Sequence, residues 1–149
     1  MIKTEKLLSV FAVVFGLFTA VSCEKPDEVI AVESLPREVI TLVQTHFPGV
    51  EIVNVIKDYS GRKSYDFEIS LKDGTRLDVL KNGQWKEVSN YKKGVPSSII
   101  PASILTYVTE NHAEALVISI DRERGYDVEL NTGMDIVFDA SGNFSRYDY

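Results

Sequence analysis

Cysteine is almost absent. The 149-residue chain has a single one, Cys23, so it forms no internal disulfide and no cysteine-built zinc site. Histidine is nearly as scarce. His46 and His112 are the only two, and no H-x-x-E or H-x-H spacing makes them a ligand set. Each falls near the end of a predicted helix, and the expectation is one part-buried ring and one exposed ring. Basic residues are outnumbered, 16 Lys and Arg against 22 Asp and Glu, for a formal net charge of −6. That balance excludes nucleic acid, whose phosphates need a basic surface, and leaves a cationic protein permitted. There is no G-x-S-x-G turn and no phosphate-cradling glycine loop. Paired carboxylates on regular strands lack the contrasting environments that split acid and base roles, so no enzyme is expected. Long hydrophobic runs are missing too. The one apolar run, Leu7 to Phe18, is shorter than the roughly 20 residues of a membrane-spanning helix.

That run sits in a recognisable layout. Lys3 and Lys6 precede it, the small residues Thr19-Ala20-Val21-Ser22 follow it, and Cys23 comes next. This is the order of a secretory signal. Ala20-Val21-Ser22-Cys23 resembles a bacterial lipobox, with alanine where leucine is usual. The resemblance implies cleavage before Cys23 and lipidation of its thiol and new amine. The alternative is an ordinary signal with an incidental cysteine. Cleavage removes Lys3, Lys6 and Glu5, leaving the mature chain one charge more negative. Each buried acyl methylene contributes about 0.8 kcal/mol, so a multiply acylated cysteine holds a domain to a membrane without a spanning helix. Residues 1–22 are therefore expected as a signal peptide and 23–33 as a lipidated tether, acidic and broken by Pro26. Acidic residues just after the cysteine resemble export signals of surface lipoproteins in some Gram-negative bacteria; a solvated linker reads equally well. The expected location is the cell envelope of such a bacterium, on the periplasmic or the surface face of the outer membrane.

Most of what remains reads as strands. In YDFEISLKDGTRLDVLKNGQW, Tyr65 to Trp85, the residues Phe67, Ile69 and Leu71 alternate with Glu68 and Ser70. In GYDVELNTGMDIVFDASGNF, Gly125 to Phe144, Tyr126, Val128 and Leu130 alternate with Asp127 and Glu129. A period of two places one face on a core and the other in water. Asp73-Gly74, Asn82-Gly83, Thr132-Gly133 and Ser141-Gly142 mark tight hairpin turns. The two stretches superpose at one constant offset, apolar on apolar and glycine on glycine. Leu35 to Phe47 and Ile100 to His112 read as helices, with Pro36 and Pro101 in their first turns. Strands are expected near 50–57, 65–71, 75–80, 84–89, 115–121, 126–131, 134–139 and 143–147. The polar loop 57–64, KDYSGRKS, is longer than its counterpart. The expected class is α+β: two tandem repeats, 34–91 and 92–149, each a helix followed by a four-stranded antiparallel meander. The two sheets are expected to adjoin, with the helices packed on one face.

Aromatic-x-hydrophobic-x-Leu-x-x-Gly, then alternating apolar residues, a second glycine and an aromatic, resembles the PepSY-like, β-lactamase-inhibitor-like (BLIP-like) family of exported bacterial proteins. Leu35-Pro36, echoed as Ile100-Pro101, fits the same family. The resemblance covers about residues 34 to 147 and implies helix-plus-four-stranded-sheet units. It specifies function poorly, because its motifs are structural.

The alternation also predicts a face rich in carboxylates. With Phe67, Ile69, Leu77 and Val79 facing the helices, Asp66, Glu68, Asp78, Asp127, Glu129, Asp135 and Asp139 face away, with Arg76 among them. Such a face suits a cationic protein, peptide or divalent ion. It equally suits solvated strands whose charges suppress edge pairing. No D-x-D-x-D-G calcium loop is present, and no cofactor or bound metal is expected. Tyr59 and Arg62 in the long loop join Asp66, Glu68, Asp78, Asp127, Glu129 and Asp135 as the expected partner-binding set. The expected function is a non-enzymatic envelope lipoprotein that binds a protein or peptide. The alternatives are a small-ligand or divalent-ion domain, or a regulator or inhibitor of an envelope hydrolase.

Overall fold

The computed structural model describes residues 25–149. Cys23 and the signal segment lie outside the described residues. Strand β1 is Glu28–Val29, followed by a 3-10 turn at Val32–Ser34 and helix α1, Arg37–His46. Then come β2 (Ile52–Lys57), β3 (Phe67–Leu71), β4 (Arg76–Val79) and β5 (Trp85–Ser89). Helix α2 (Ala102–Asn111) leads to β6 (Val117–Arg122), β7 (Tyr126–Leu130), β8 (Asp135–Phe138) and β9 (Phe144–Asp148).

The nine strands form one antiparallel sheet in the order β1-β2-β3-β4-β5-β6-β7-β8-β9. This overturns the expected class of two tandem helix-plus-four-strand repeats with a sheet each. Two contacts make the difference. Glu87, Val88 and Ser89 pair with Asp121, Ile120 and Ser119, which fuses β5 to β6. Glu28 and Val29 pair with Lys57 and Ile56, so part of the expected tether becomes a strand. The physical reason lies in the core side of that junction. Val88 and Ile120 are both fully buried and opposite each other. Two separate sheets would leave both strands with unpaired backbone edges against a shared apolar layer, where an unmade hydrogen bond costs about 1–3 kcal/mol.

One apolar layer runs the width of the sheet. Ile69, Leu77, Val79, Val88, Ile120, Val128, Ile136 and Phe138 are fully covered and form a single cluster with Val39 and Val43 of α1 and Ile104 and Val108 of α2. Both helices therefore lie on that face. Pro36 and Pro101 stand just outside their helices with extended ψ of 147 and 138, not in the first turn, because proline fixes φ without committing ψ. Two hairpin tips press against the helix starts. A Cβ on Gly83, whose φ is +81, would come within 2.8 Å of the Glu38 carbonyl oxygen, and one on Gly142 would overlap Ser103 Oγ. Glycine is needed there for the turn and for the approach together.

The connection from β5 to α2 is organised by Asn90, which is 1% exposed. Its amide donates to Thr75 Oγ1 at 2.9 Å, and its side-chain oxygen accepts from the Lys92 and Lys93 backbone N–H groups, each at 3.0 Å. A buried polar side chain is tolerated when its hydrogen bonds are made.

Candidate cation-binding sheet face

The helices cover one face of the sheet, so the side chains that alternate with the core residues occupy the other. Strand register places them in rows. Glu68 lies opposite Asp78, Asp78 opposite Glu87, Glu87 opposite Asp121, and Asp121 opposite Asp127. Five carboxylates thus stand side by side on β3 to β7. At about 4.8 Å per strand the row spans about 19 Å. A second row runs beside it: Ser70, Arg76, Ser89, Ser119, Glu129, Asp135 and Asp148.

Like charges directly opposite on a sheet repel, and the local cations do not cancel the row. Arg76 forms an ion pair with Glu68, whose side chain is 17% exposed. Tyr91 donates from its hydroxyl to Glu129 at 3.3 Å. Arg76, Asp78, Glu87, Ser89 and Tyr91 line a depression of about 240 Å³ at the centre of the face. Asp78 is pushed up to about 7, first by burial and then by Glu87 and Glu68. Arg76 and Lys63 pull it the other way, and lose. Asp121 is pushed up to about 6 by burial, then by Glu123, Glu87 and Asp127, against Lys86. The centre of the row therefore holds protons that an isolated aspartate would release.

The expected residues divide accordingly. Glu68, Asp78 and Asp127 share the first row, and Glu129 and Asp135 the second. Asp66 stands apart: its carboxylate accepts the Lys81 backbone N–H at 2.7 Å and pins the end of β4. Asp139 is a turn residue, accepting from the N–H groups of Ser141 and Asn143 at 2.9 Å each. Tyr59 lies under the ammonium groups of Lys57, 4.6 Å from its ring centre, and Lys25, 5.3 Å away. Arg62 donates its backbone N–H to Ser60 Oγ at 3.2 Å. Their loop is tied to the β1 side of the sheet by an ion pair of Lys63 with Asp27 at 2.7 Å. Glu87 and Asp121 were absent from the expected set, although each neighbours a core residue, Val88 and Ile120, and alternation alone puts them outward. The histidines are both half-buried: His46 Nδ1 lies 3.2 Å from Ser98 Oγ, and His112 Nε2 lies 3.3 Å from Tyr147 Oη. Among the described residues, no group of three or more His, Cys, Asp and Glu is arranged to hold a metal ion.

Residues 63–146, more than half of the chain and the whole of the first row, match the family described as "Putative beta-lactamase-inhibitor-like, PepSY-like". The chain belongs to the PepSY-like family. Solved structures share the fold. The chain is similar to "a putative calcium-regulated periplasmic protein" from Bacteroides thetaiotaomicron, at 29% identity and a TM-score of 0.74, over 83% of this chain and 97% of that one. It is similar to "a putative periplasmic protein of unknown function" from Bacteroides vulgatus, at 26% identity and a TM-score of 0.74, over 83% of this chain and 100% of that one. No protein with a curated description matches. Both neighbours are described as periplasmic proteins, and the family is not a known enzyme family. No helix among the described residues is long and apolar enough to cross a membrane.

Proposed function

We propose that this PepSY-like protein is a non-enzymatic binding module of the cell envelope whose acidic sheet face receives a cationic segment of another protein or peptide. The five-carboxylate row carries the reading. A sheet gains nothing in stability from opposing carboxylates, and its centre is half-buried where ionisation is hardest. A positively charged side chain laid across β3 to β7 relieves that repulsion and replaces the protons. Local rules broken without a folding benefit mark functional surfaces.

The test is titration with hexalysine, followed by backbone amide shifts in low salt. The expected outcome is saturable binding with shifts centred on β3 to β7, and an affinity about tenfold lower in the triple variant Asp78→Asn, Glu87→Gln, Asp121→Asn, since exposed charge pairs contribute about 0.2–1 kcal/mol each. Equal binding by parent and variant, or shifts scattered over the helices, would sink the idea.

A second reading, a divalent cation on the same face, is favoured by the Bacteroides thetaiotaomicron neighbour described as calcium-regulated. Calcium in place of hexalysine is the other arm of the experiment. Shifts confined to the row, saturating at millimolar calcium or below and blocking the peptide, select this reading over the first.

We further propose attachment to the membrane through lipidated Cys23. Metabolic labelling with palmitate should mark the parent and leave the Cys23→Ser variant unlabelled; equal labelling of both rules the attachment out.

A further inference from the structure

The sheet has two ends, and they are protected very differently. At one end β1 is two residues long, follows Pro26 and Asp27, and begins with Glu28. Short, acidic, proline-flanked strands discourage edge pairing. At the other end β9 is five residues long with no proline and no lysine, and among the described residues no strand lies beyond it. The bulge in the β8–β9 pair falls near the hairpin, between Val137 and Phe138, and leaves Arg146, Tyr147 and Asp148 in regular register. Aromatic rings crowd this edge. Phe144 is 39% exposed, and Tyr149, whose ring centre lies 6.1 Å from that of Tyr147, is fully exposed.

From this edge we propose that β9 pairs antiparallel with β9 of a second copy of the chain, joining two nine-stranded sheets into one. Charge selects both partner and register. Arg146 and Asp148 occupy the outer face, opposite Val137 and Asp135, while Tyr147 faces the core side opposite Ile136. Directly opposed residues must share a face. A two-fold axis through Arg146 opposes two arginines, and one through Asp148 opposes two aspartates. An axis through Tyr147 places Arg146 against Asp148 of the second copy, twice, and brings the tyrosines together on the core side. It also sets Tyr149 against Ser145 of the second copy. The strand is therefore self-complementary in one register. A pair of five-residue strands with a few aromatic rings buries less than the roughly 1,200 Å² of a standard stable interface, so the dimer is weak and depends on concentration. The two-fold axis is perpendicular to the sheet and keeps both acidic faces on the same side, so a dimer presents two rows to one partner.

Sedimentation velocity of the purified protein from about 10 µM to 1 mM tests the pairing. A concentration-dependent dimer is expected, weakened about tenfold or more by Asp148→Arg, which opposes two arginines at each contact. Within one chain the new arginine faces Asp135 and gives up the ion pair of Asp148 with Arg146 at 3.8 Å, an exposed contact that contributes at most about 1 kcal/mol to the monomer fold. The exchange Arg146→Asp with Asp148→Arg restores the opposite charges and should restore the dimer. A monomer at every concentration overturns the proposal. So does a dimer indifferent to Asp148→Arg, or one that the double exchange fails to rescue. None of these readings depends on cation binding at the acidic face.

Discussion

Replacing Phe138 with alanine is expected to lower the unfolding free energy by about 3–5 kcal/mol, the usual cost of deleting a buried aromatic ring. Phe138 is 1% exposed and is among the largest fully buried side chains. Its ring meets Tyr107 of α2 edge-on at 5.4 Å and Phe144 of β9 edge-on at 6.5 Å. Those two neighbours stack on each other at 4.8 Å, and the Tyr107 hydroxyl lies 3.0 Å from that of Tyr147. Helix and edge strand are thus held apart at a fixed spacing, which limits collapse into the space the ring leaves. That restriction places the cost in the upper part of the range. Urea unfolding should show a lower midpoint with an unchanged slope. A loss under about 1 kcal/mol would mean the ring is not a core element.

Much of this arrangement was legible in the chain because it is local. The alternation of Phe67, Ile69 and Leu71 against Glu68 and Ser70, closed by Asp73-Gly74, reports a half-buried hairpin wherever it occurs. The observed strand Phe67–Leu71 and turn follow it closely. Helix boundaries were set a little wide, because Leu35 and Phe47 carry apolar surface into the core but have non-helical backbone angles. What was not legible depends on distant partners. Nothing in the short stretch Glu28–Val29 has a period of its own; it is a strand because the edge of β2 is open to it. The joining of β5 to β6 depends on a register across α2, and missing it cost the site its centre. With two sheets, Glu87 and Asp121 lie on separate edges. With one sheet they are opposite neighbours, and the carboxylates of β3 and β4 continue into those of β6 and β7. Burial of Asp78 is a further consequence that no side-chain pattern announces.

That burial makes Asp78→Asn a stabilising substitution with a defined pH dependence. The folded state holds the Asp78 proton to about 7, against 3.8 for an ordinary aspartate. Below 3.8 the group is protonated in both states and contributes nothing. Between the two values the unfolded chain releases the proton and the folded chain retains it, so the unfolded state binds fewer protons and stability falls as pH rises. Above about 7 the full cost of a charged Asp78 is present. Asparagine keeps the shape and never ionises. The difference between variant and parent should be near zero at pH 4 and grow to about 2 kcal/mol at pH 8, a value reduced from the unscreened shift because solvent reaches part of the group. Asp121→Asn should show a smaller gain that levels off above about pH 6, once its own carboxyl has titrated. Urea midpoints for parent and variants across this pH range decide the matter. A gain that is flat with pH would assign the stabilisation to packing rather than charge. A gain largest in acid would reverse the sign and remove the repulsive row from the account. Hexalysine bound to the face should erase most of the pH 8 difference, because the cation then performs the neutralisation that asparagine builds in.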